Sequence, residues 1–499
     1  MILCSVMVPI LTGILFLLLP EKVFRTRRYL LIMTGVSLVI SAAFVVAVLG
    51  ENINTVFSCG ELVDGIEIYF AVDQLGKLFA AIATVCFVLA GFFAFVYMKH
   101  ERNEKRFFGF YLITFGVVLG LDFSGNLITM YLFYELMTLV SFPLVIHNGS
   151  REAIMAGLKY LFYSFVGAYM ALFGIYFLQQ YLKSASFVAG GSLNLTALTE
   201  AGNEAMLFVV LFFMILGFGV KAGLFPMHAW LPTAHPVAPA PASAVLSGII
   251  VKGGILAIIR VVYYCVGETV LQGTWVQTAW MLLALVTIVM GSALAYKEKV
   301  FKKRLAYSTV SNLSYILFGL ALLQQTAMTG ALLHVVFHAI MKTGLFLCAG
   351  AVIYLTGKTK IKDFCGMGKT LPCIFACFTV MGLGLIGIAP TSGIVSKWYL
   401  AIGALESDIW YFSWIGPIVL LISALLTAGY ILSVTIQAYL PVESNCIKND
   451  THVKMPMLLL VPILILSILT LLFGLFPNGV ITYCNEIAST LFTEIVGGV

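Results

Sequence analysis

The chain has 499 residues, of which 61% are hydrophobic and only 10% are charged. A soluble domain carries about 25% charged residues, so this composition excludes a soluble globular protein and indicates an integral membrane protein. The net charge of +6 does not point to nucleic acid, because no polar segment is long enough to fold as a basic domain.

Apolar segments follow one another along the whole chain, and most have the roughly 20 residues that a membrane-spanning helix needs. The strict alternation of a transmembrane β-barrel is absent. We therefore predict an all-α integral membrane protein with about 14 transmembrane helices. The segments are approximately 2–20, 29–49, 70–98, 107–121, 127–146, 154–182, 205–224, 241–266, 275–296, 304–323, 330–355, 374–400, 409–440 and 455–476.

The two ends of the chain fit the same scheme. No basic residue precedes the apolar run of residues 1–20, so we expect a retained span and not a cleaved signal peptide. The chain ends soon after the fourteenth segment, and we expect no long lateral helix there.

Basic residues concentrate in loops of one parity. Twenty of the 28 lysines and arginines follow odd-numbered spans, whereas the other loops hold Lys183 alone, with acids such as Glu51, Glu61, Asp64, Glu67, Glu406 and Asp408. The positive-inside rule predicts that the odd-numbered loops are cytoplasmic. Both termini would then lie outside the plasma (inner) membrane. The basic loop residues are Lys22, Arg25, Arg27, Arg28, Lys99, Arg102, Lys105, Arg106, Arg151, Lys297, Lys299, Lys302, Lys303, Arg304, Lys358, Lys360, Lys362, Lys369, Lys448 and Lys454.

The remaining basic residues lie inside or at the ends of spans. A charged lysine at the centre of a membrane helix costs roughly 2.5–3.5 kcal/mol on insertion scales, so Lys221 and Lys252 indicate a function. Lys77 and Arg260 lie near span ends, and we expect them to snorkel or to pair locally. Lys159 lies one turn into its span and is kept as an accessory residue.

A proline-rich hinge separates Lys221 from Lys252 and predicts that span seven is broken. Pro226 and Pro232 are its expected hinge residues, and His228 and His235 are accessory polar groups within it. Unwound backbone at membrane depth is tolerated only where it is buried in protein or lines a wet cavity.

A second break is predicted in span twelve, where Pro390 and Gly393 interrupt an apolar run just before Lys397. Span twelve follows span seven by five spans, and an odd shift inverts orientation in the membrane. Paired interrupted segments of this kind are typical of inverted-repeat transporters. We predict two inverted five-helix repeats, spans 4–8 and 9–13. The expected divisions are 1–106, 107–266, 267–440 and 441–499.

Few other titratable groups lie inside the spans. Glu135 is the one carboxylate well inside a predicted span, and it either forms a structural ion pair with a lysine or uses that pair as a movable charge. His334, His338 and Lys342 recur every four residues and share a helix face. This spacing favours a proton relay over a packed polar seam.

In combination, these motifs resemble the antiporter-like subunits shared by respiratory complex I, Mrp-type sodium/proton antiporters and membrane-bound hydrogenases. The lysine of span twelve is more similar to Mrp D-type and complex I N- or L-type subunits than to the M-type. The motifs are Glu135 in span five, Lys221 before F-P-x-H-x-W-L-P-x-A-H-x-x-A-P-x-P-x-S-A, Lys252 in GIIVKGG, H-x-x-x-H-x-x-x-K from His334 to Lys342, and P-T-S-G-x-x-x-K from Pro390 to Lys397.

The resemblance implies a role for each matching residue. Glu135 and Lys221 would be the ion pair of the uptake half, Lys252 the central relay, His334 and His338 the connection, and Lys397 the terminal titratable group. Relatives often carry histidine in span ten, where this chain has Asn312, and water bound by Asn312 would substitute for it.

The favoured function is translocation of protons, with sodium left open, by a non-catalytic subunit of a larger membrane complex. The alternatives are an autonomous cation/proton antiporter or solute transporter, and a subunit that reacts with quinone. We expect no cofactor and no metal site, since the cysteines and histidines lack metal-ligand spacing. The expected partners are other membrane subunits, the bilayer and the transported ions, and not nucleic acid. The sequence leaves open which host complex it belongs to.

Overall fold

The computed structural model describes residues 1–20, 26–53, 55–63, 66–407, 409–440 and 455–492. Most of this part of the chain is helical. Several residues of the predicted charge pattern lie outside the described residues: Lys22, Arg25, Asp64, Asp408, Lys448 and Lys454.

The chain begins with two helices, a β-hairpin and a third helix. The elements are α1 (Ile2–Leu18), α2 (Arg27–Leu49), β1 (Val56–Val63), β2 (Ile66–Ala71) and α3 (Gln74–Tyr97). The strands pair antiparallel, with Phe57 opposite Phe70. The prediction of a helical chain is confirmed for most of the described residues, but the all-α prediction missed this hairpin. β-branched and aromatic residues suit a half-exposed pleated ribbon, and the predicted start of span three at residue 70 belongs to β2.

The next part of the chain contains the first predicted break. Its helices are α4 (Glu104–Asp122), α5 (Leu127–Val145), α6 (Arg151–Gln179), α7 (Leu195–Glu200), α8 (Glu204–Gly219), α9 (Leu231–Val237), α10 (Ala240–Val245), α11 (Lys252–Ile259) and α12 (Glu268–Leu271). The chain is not helical over 220–230, between α8 and α9. Pro226 lies in this interruption, and Pro232 lies in the first turn of α9, where its missing N–H is not needed.

The rest of the described chain contains the second break. Its helices are α13 (Trp275–Lys297), α14 (Phe301–Ala321), α15 (Gln325–Thr356), α16 (Met367–Thr370), α17 (Pro372–Ile386), α18 (Ser392–Leu405), α19 (Trp410–Tyr439), α20 (Met457–Leu475) and α21 (Asn478–Leu491). Residues 387–391 interrupt the run between α17 and α18. A Cβ on Gly393 would lie 1.8 Å from the carbonyl oxygen of Gly384, so only glycine allows this close approach of α18 to α17.

Among the described residues, nine helices are long and apolar enough to cross a membrane, and three shorter ones are also apolar. Two of the long segments form the core. The most apolar window of Ala240–Val266 is 100% buried and that of α15 is 94% buried, against 33% for α2 and for α20. The central segments carry Lys252, His334, His338 and Lys342, so the outer helices shield these polar groups from lipid.

Several of the described segments that hold basic residues meet at one end of the molecule. The C-terminal ends of α3 and α15 contact each other there, as do the start of α4 and the segment after α5, and the segments after α13 and α15. The β-hairpin packs beside the residues that follow α4 and α6 at the other end. The contacts at the basic end are Tyr97 with Tyr354, Arg106 with His147, and Val300 with Lys360, and at the hairpin end Phe70 with Ser124 and Tyr69 with Ser186.

Candidate functional site

Lys221 lies at the start of the first break and is fully buried. Its ammonium donates hydrogen bonds to the backbone oxygen of Tyr134 (2.8 Å) and to the Thr138 hydroxyl (2.5 Å). It also lies 3.9 Å from the centre of the Tyr134 ring, a cation–π contact. One face of α5 therefore holds this charge.

Glu135 lies on the same helix, between the two groups that bind Lys221. Its Oε1 atom is buried and makes no hydrogen bond with any described residue. The ammonium of Lys221 binds α5 without using the carboxylate. The ion pair that the resemblance implies is thus not formed in this conformation, although the two residues are neighbours.

Lys252 begins α11, one residue beyond a π-helical turn that spans Leu246–Ile250. In that turn Val251 N–H donates to the carbonyl of Leu246, five residues back. The Lys252 ammonium donates to the carbonyl oxygen of Ser247 at 3.1 Å and lies 2.9 Å from Nδ1 of His338. π-bulges inside α-helices are frequent at functional sites, and this one places the lysine in direct contact with the histidine helix.

His334, on the same helix, connects His338 with the surroundings of Lys397. The two imidazole rings are stacked with their centres 5.8 Å apart, as the four-residue spacing predicts. Nδ1 of His334 lies 2.9 Å from the Ser396 hydroxyl, next to Lys397 in the chain. The ring of Tyr315 packs 5.5 Å from His334 and 5.0 Å from the Lys397 ammonium.

Lys397 closes the second break. Its ammonium donates to the carbonyl oxygens of Leu385 and Ile386 at 2.6 and 2.9 Å. These are the last residues of α17, whose carbonyls have no partner inside the helix, and a cation is favoured at that end by the helix dipole. The break therefore creates the acceptors that hold the terminal lysine.

Lys342 lies beside this line and does not join it. Its ammonium donates to the backbone of Leu305 and to the Ser308 hydroxyl on α14. Ser308 is in turn bonded to the Tyr430 hydroxyl, and Asn312 donates to the Ser308 carbonyl oxygen. Asn312 thus belongs to the Lys342 cluster.

The two hinge histidines occupy different surroundings. His228 stacks on Phe225, and the charge of half-buried Lys159 acts on it. His235 is fully buried, with its ring 4.8 Å from that of Phe346, and neither ring nitrogen bonds a described residue.

Lys302 corrects one sequence-based assignment. We assigned it to a cytoplasmic loop, but only 5% of it is exposed, and its ammonium donates to the carbonyls of Pro236 and Ala238. A cavity of about 210 Å³ above it is lined by Glu101 and Asn148. The lysine side chain is long, so Lys302 at the start of α14 can donate to carbonyls of the hinge instead of pointing to water.

We expected Lys77 and Arg260 to snorkel or to pair locally; Lys77 is held near the end of its span, but Arg260 is buried and its partner lies 187 residues earlier in the chain. Lys77 donates to the carbonyls of Leu49 and Glu51. Arg260 forms a two-pronged pair with Asp73.

Sequence reasoning missed several hydroxyl groups and one acid: Thr138, Ser308, Tyr315, Ser396 and Asp122. Thr138 lies one turn after Glu135 and Ser396 precedes Lys397, but hydroxyl groups are too common in spans for position alone to single them out. Within the described residues, no cluster of three or more His, Cys, Asp or Glu side chains could hold a metal ion.

A known protein family matches the part of the chain that contains this site. The family described as "NADH:quinone oxidoreductase/Mrp antiporter, TM" matches residues 124–442, more than half of the chain. The chain belongs to this family. The matched region contains every residue of the predicted proton path, from Glu135 to Lys397, so the chain is an antiporter-like, multi-pass membrane subunit of the Mrp and complex I type.

Individual members of the NADH:quinone oxidoreductase/Mrp antiporter family are similar over most of their length. The N-type subunit of the NADH-quinone oxidoreductase of Desulforudis audaxviator is 33% identical over 77% of this chain and 77% of its own length. The D-type subunit of the Na⁺/H⁺ antiporter of Bacillus subtilis is 27% identical over 98% of this chain and 97% of its own. The solved Mrp complex from Dietzia has a chain with the same fold, at a TM-score of 0.84 and 21% identity over 99% of this chain and 98% of that one.

Proposed function

We propose that this chain carries protons across the plasma membrane as one subunit of a larger complex, along Lys221, Lys252, His338, His334 and Lys397. The observation that supports this most directly is the contact of 2.9 Å between Lys252 and Nδ1 of His338. It joins the lysine that follows the first break to the histidine ladder that leads to the second.

In the proposed cycle Glu135 controls the charge of Lys221. A nearby carboxylate favours the charged form of a buried lysine, and its withdrawal favours release of the proton. No described hydrogen bond joins Lys221 to Lys252, so ordered water would carry the proton across this step. From Lys252 the proton would pass through His338 and His334 to Lys397.

The proposed architecture keeps about 14 spans in two inverted repeats, with the divisions at 106, 266 and 440. The interruptions at 220–230 and 387–391, the first holding the buried Lys221 and the second followed by the half-buried Lys397, support this arrangement. We propose that the basic end of the molecule faces the cytoplasm and that the hairpin end, with both termini, faces outside. The N-terminal amine lies 3.9 Å from Glu51, near the hairpin.

Cysteine labelling tests this orientation. Glu61 and Lys360 are both exposed, at the hairpin end and the basic end. In a background without the exposed cysteines Cys4, Cys59 and Cys373, an impermeant reagent added outside should label Glu61→Cys and not Lys360→Cys. The reverse pattern would overturn the orientation.

We propose that transport needs partner subunits, because the relatives that span this chain are themselves subunits of larger assemblies. A path alone does not pump; net transport needs a free-energy source whose coupling differs between two states. Liposomes with the whole complex should therefore change an imposed pH gradient, and liposomes with this chain alone should not.

The same liposomes test sodium. The similarity to a subunit of a Na⁺/H⁺ antiporter favours trials in which sodium or potassium is varied on one side. Robust sodium-dependent exchange by the single chain would refute the subunit proposal and establish an autonomous antiporter.

A further inference from the structure

Asp122 is a buried acid that the proposed path does not use. It is the last residue of α4, and only 3% of it is exposed. Its Oδ2 atom is buried and makes no hydrogen bond with any residue that the structure describes. Burying a carboxyl oxygen without a hydrogen-bond partner costs free energy. We therefore expect a polar group close to Oδ2.

A small cavity joins Asp122 to Lys252. Its volume is about 10 Å³, and its other walls are almost entirely apolar. That is close to the space that one water molecule needs. Lys252 has three N–H donors, of which the contacts to Ser247 and His338 use at most two, so one remains for a water in this cavity.

Beyond Asp122 the charged groups continue towards the hairpin end. The positive charge of Arg260 acts on the Asp122 carboxyl, and the Nε atom of Arg260 is also buried without a hydrogen-bond partner in the described chain. The remaining guanidinium nitrogens bind Asp73, whose side chain is 22% exposed and which caps the start of α3. Charged groups thus extend from Lys252 to the partly exposed surface beside the hairpin, and Arg260 among them stays protonated and holds charge without relaying a proton.

We propose that Asp122 exchanges protons with Lys252 through one water molecule and so forms a branch of the path to the hairpin end. In this step the Lys252 ammonium gives one proton to the water, and the water gives another to Oδ2 of Asp122. The lysine becomes neutral, the carboxylate becomes a carboxylic acid, and the water is restored. The inference rests on the proposed function.

Substitution in the complete complex tests this branch. Asp122→Asn keeps the shape but removes the proton-exchanging carboxylate, and Asp122→Glu keeps the carboxyl group. Proton translocation should fall by at least about tenfold in Asp122→Asn, since positioned proton-transfer groups typically contribute more than that. Asp122→Glu should recover part of the rate, and the exposed acid Glu61→Gln should leave the rate unchanged. Normal translocation by assembled Asp122→Asn would overturn the branch.

Infrared difference spectroscopy separates proton exchange from a structural role. The wild-type complex with isotope-labelled aspartate should show a carboxylic-acid band that changes with pH, and Lys252→Met should shift it. A band unaffected by Lys252→Met, or no such band, would overturn the proposal even if Asp122→Asn failed to assemble. Loss of transport in Glu135→Gln with normal transport in Asp122→Asn would refute the branch alone. A wild-type complex that moves no protons would instead refute the proposed function.

Discussion

The site has two halves: Glu135 with Lys221, and the line from Lys252 to Lys397. The two halves hold their lysines in different ways. In the first half, Lys221 is bound by a hydroxyl and a carbonyl of α5, while Oε1 of the neighbouring Glu135 makes no hydrogen bond with any described residue. In the second half, contacts run from Lys252 through His338 and His334 to Ser396, next to Lys397.

This difference assigns different tasks to the halves. We propose that the first half is a switch, because a carboxylate close to a lysine but not bonded to it can engage or withdraw with a small motion. Rings stacked on the deeply buried α15 have little freedom, because close-packed interiors resist displacement. We infer that the second half is a fixed conductor whose state is set by the first half.

We expect the largest effect on proton translocation at Lys252, where the second half of the site begins. Lys252→Met removes the exchangeable proton but keeps a long apolar side chain, so proton translocation by the reconstituted complex should fall by about a hundredfold or more. Quenching of a pH-sensitive dye in liposomes measures this. The control variant Lys369→Met, at an exposed lysine of α16, should translocate protons at the normal rate. Equal rates in the two variants would contradict the role proposed for Lys252.

The second half should also depend on tight packing at its break. Gly393→Ala places a methyl group against the Gly384 carbonyl, and such overpacking costs about 1–3 kcal/mol. The thermal midpoint of the purified complex should drop. Gly479→Ala is the matched control, because nothing lies within 4 Å of the added carbon; a similar drop there would show that the effect is not local.

Conduction through the histidines gives the next largest effect. His338→Gln retains a polar group beside Lys252 but cannot carry a proton as imidazole does, so translocation should fall by about tenfold. The exposed His100→Gln should have no effect in the same dye assay. An unchanged rate in His338→Gln would mean that protons bypass the ladder.

We expect the smallest effect on proton translocation at Thr138, whose hydroxyl accepts a hydrogen bond from Lys221. Thr138→Val removes one hydroxyl from Lys221 while the Tyr134 carbonyl still accepts, so the rate should change by only about threefold. The matched control is Thr379→Val, whose hydroxyl bonds its own helix and Thr435. A loss as large as that of Lys252→Met would show that Thr138 itself is essential.

The sequence predicted the parts of the site that depend on local pattern. Prolines and glycines located both breaks, and the four-residue spacing placed His334 and His338 on one face. Such features are properties of one helix, so they can be read without knowing its neighbours.

Features that depend on a partner element escaped prediction. Lys302 follows a span in sequence, but its stem folds under the hinge carbonyls. The hairpin of 56–71 is too short and too polar for a hydropathy window to separate from a loop. The disengaged state of Glu135 depends on the relative position of α5 and the first break, which spacing along the chain does not encode.

The most direct test of the switch and conductor is a structure of the complete complex at rest and during turnover. We predict that the Glu135 carboxylate and the Lys221 ammonium come into hydrogen-bonding contact in one of the two states, while the Lys252 to His338 contact stays near 2.9 Å in both. A Glu135 to Lys221 separation that never changes, together with a Lys252 to His338 contact that opens, would contradict both roles.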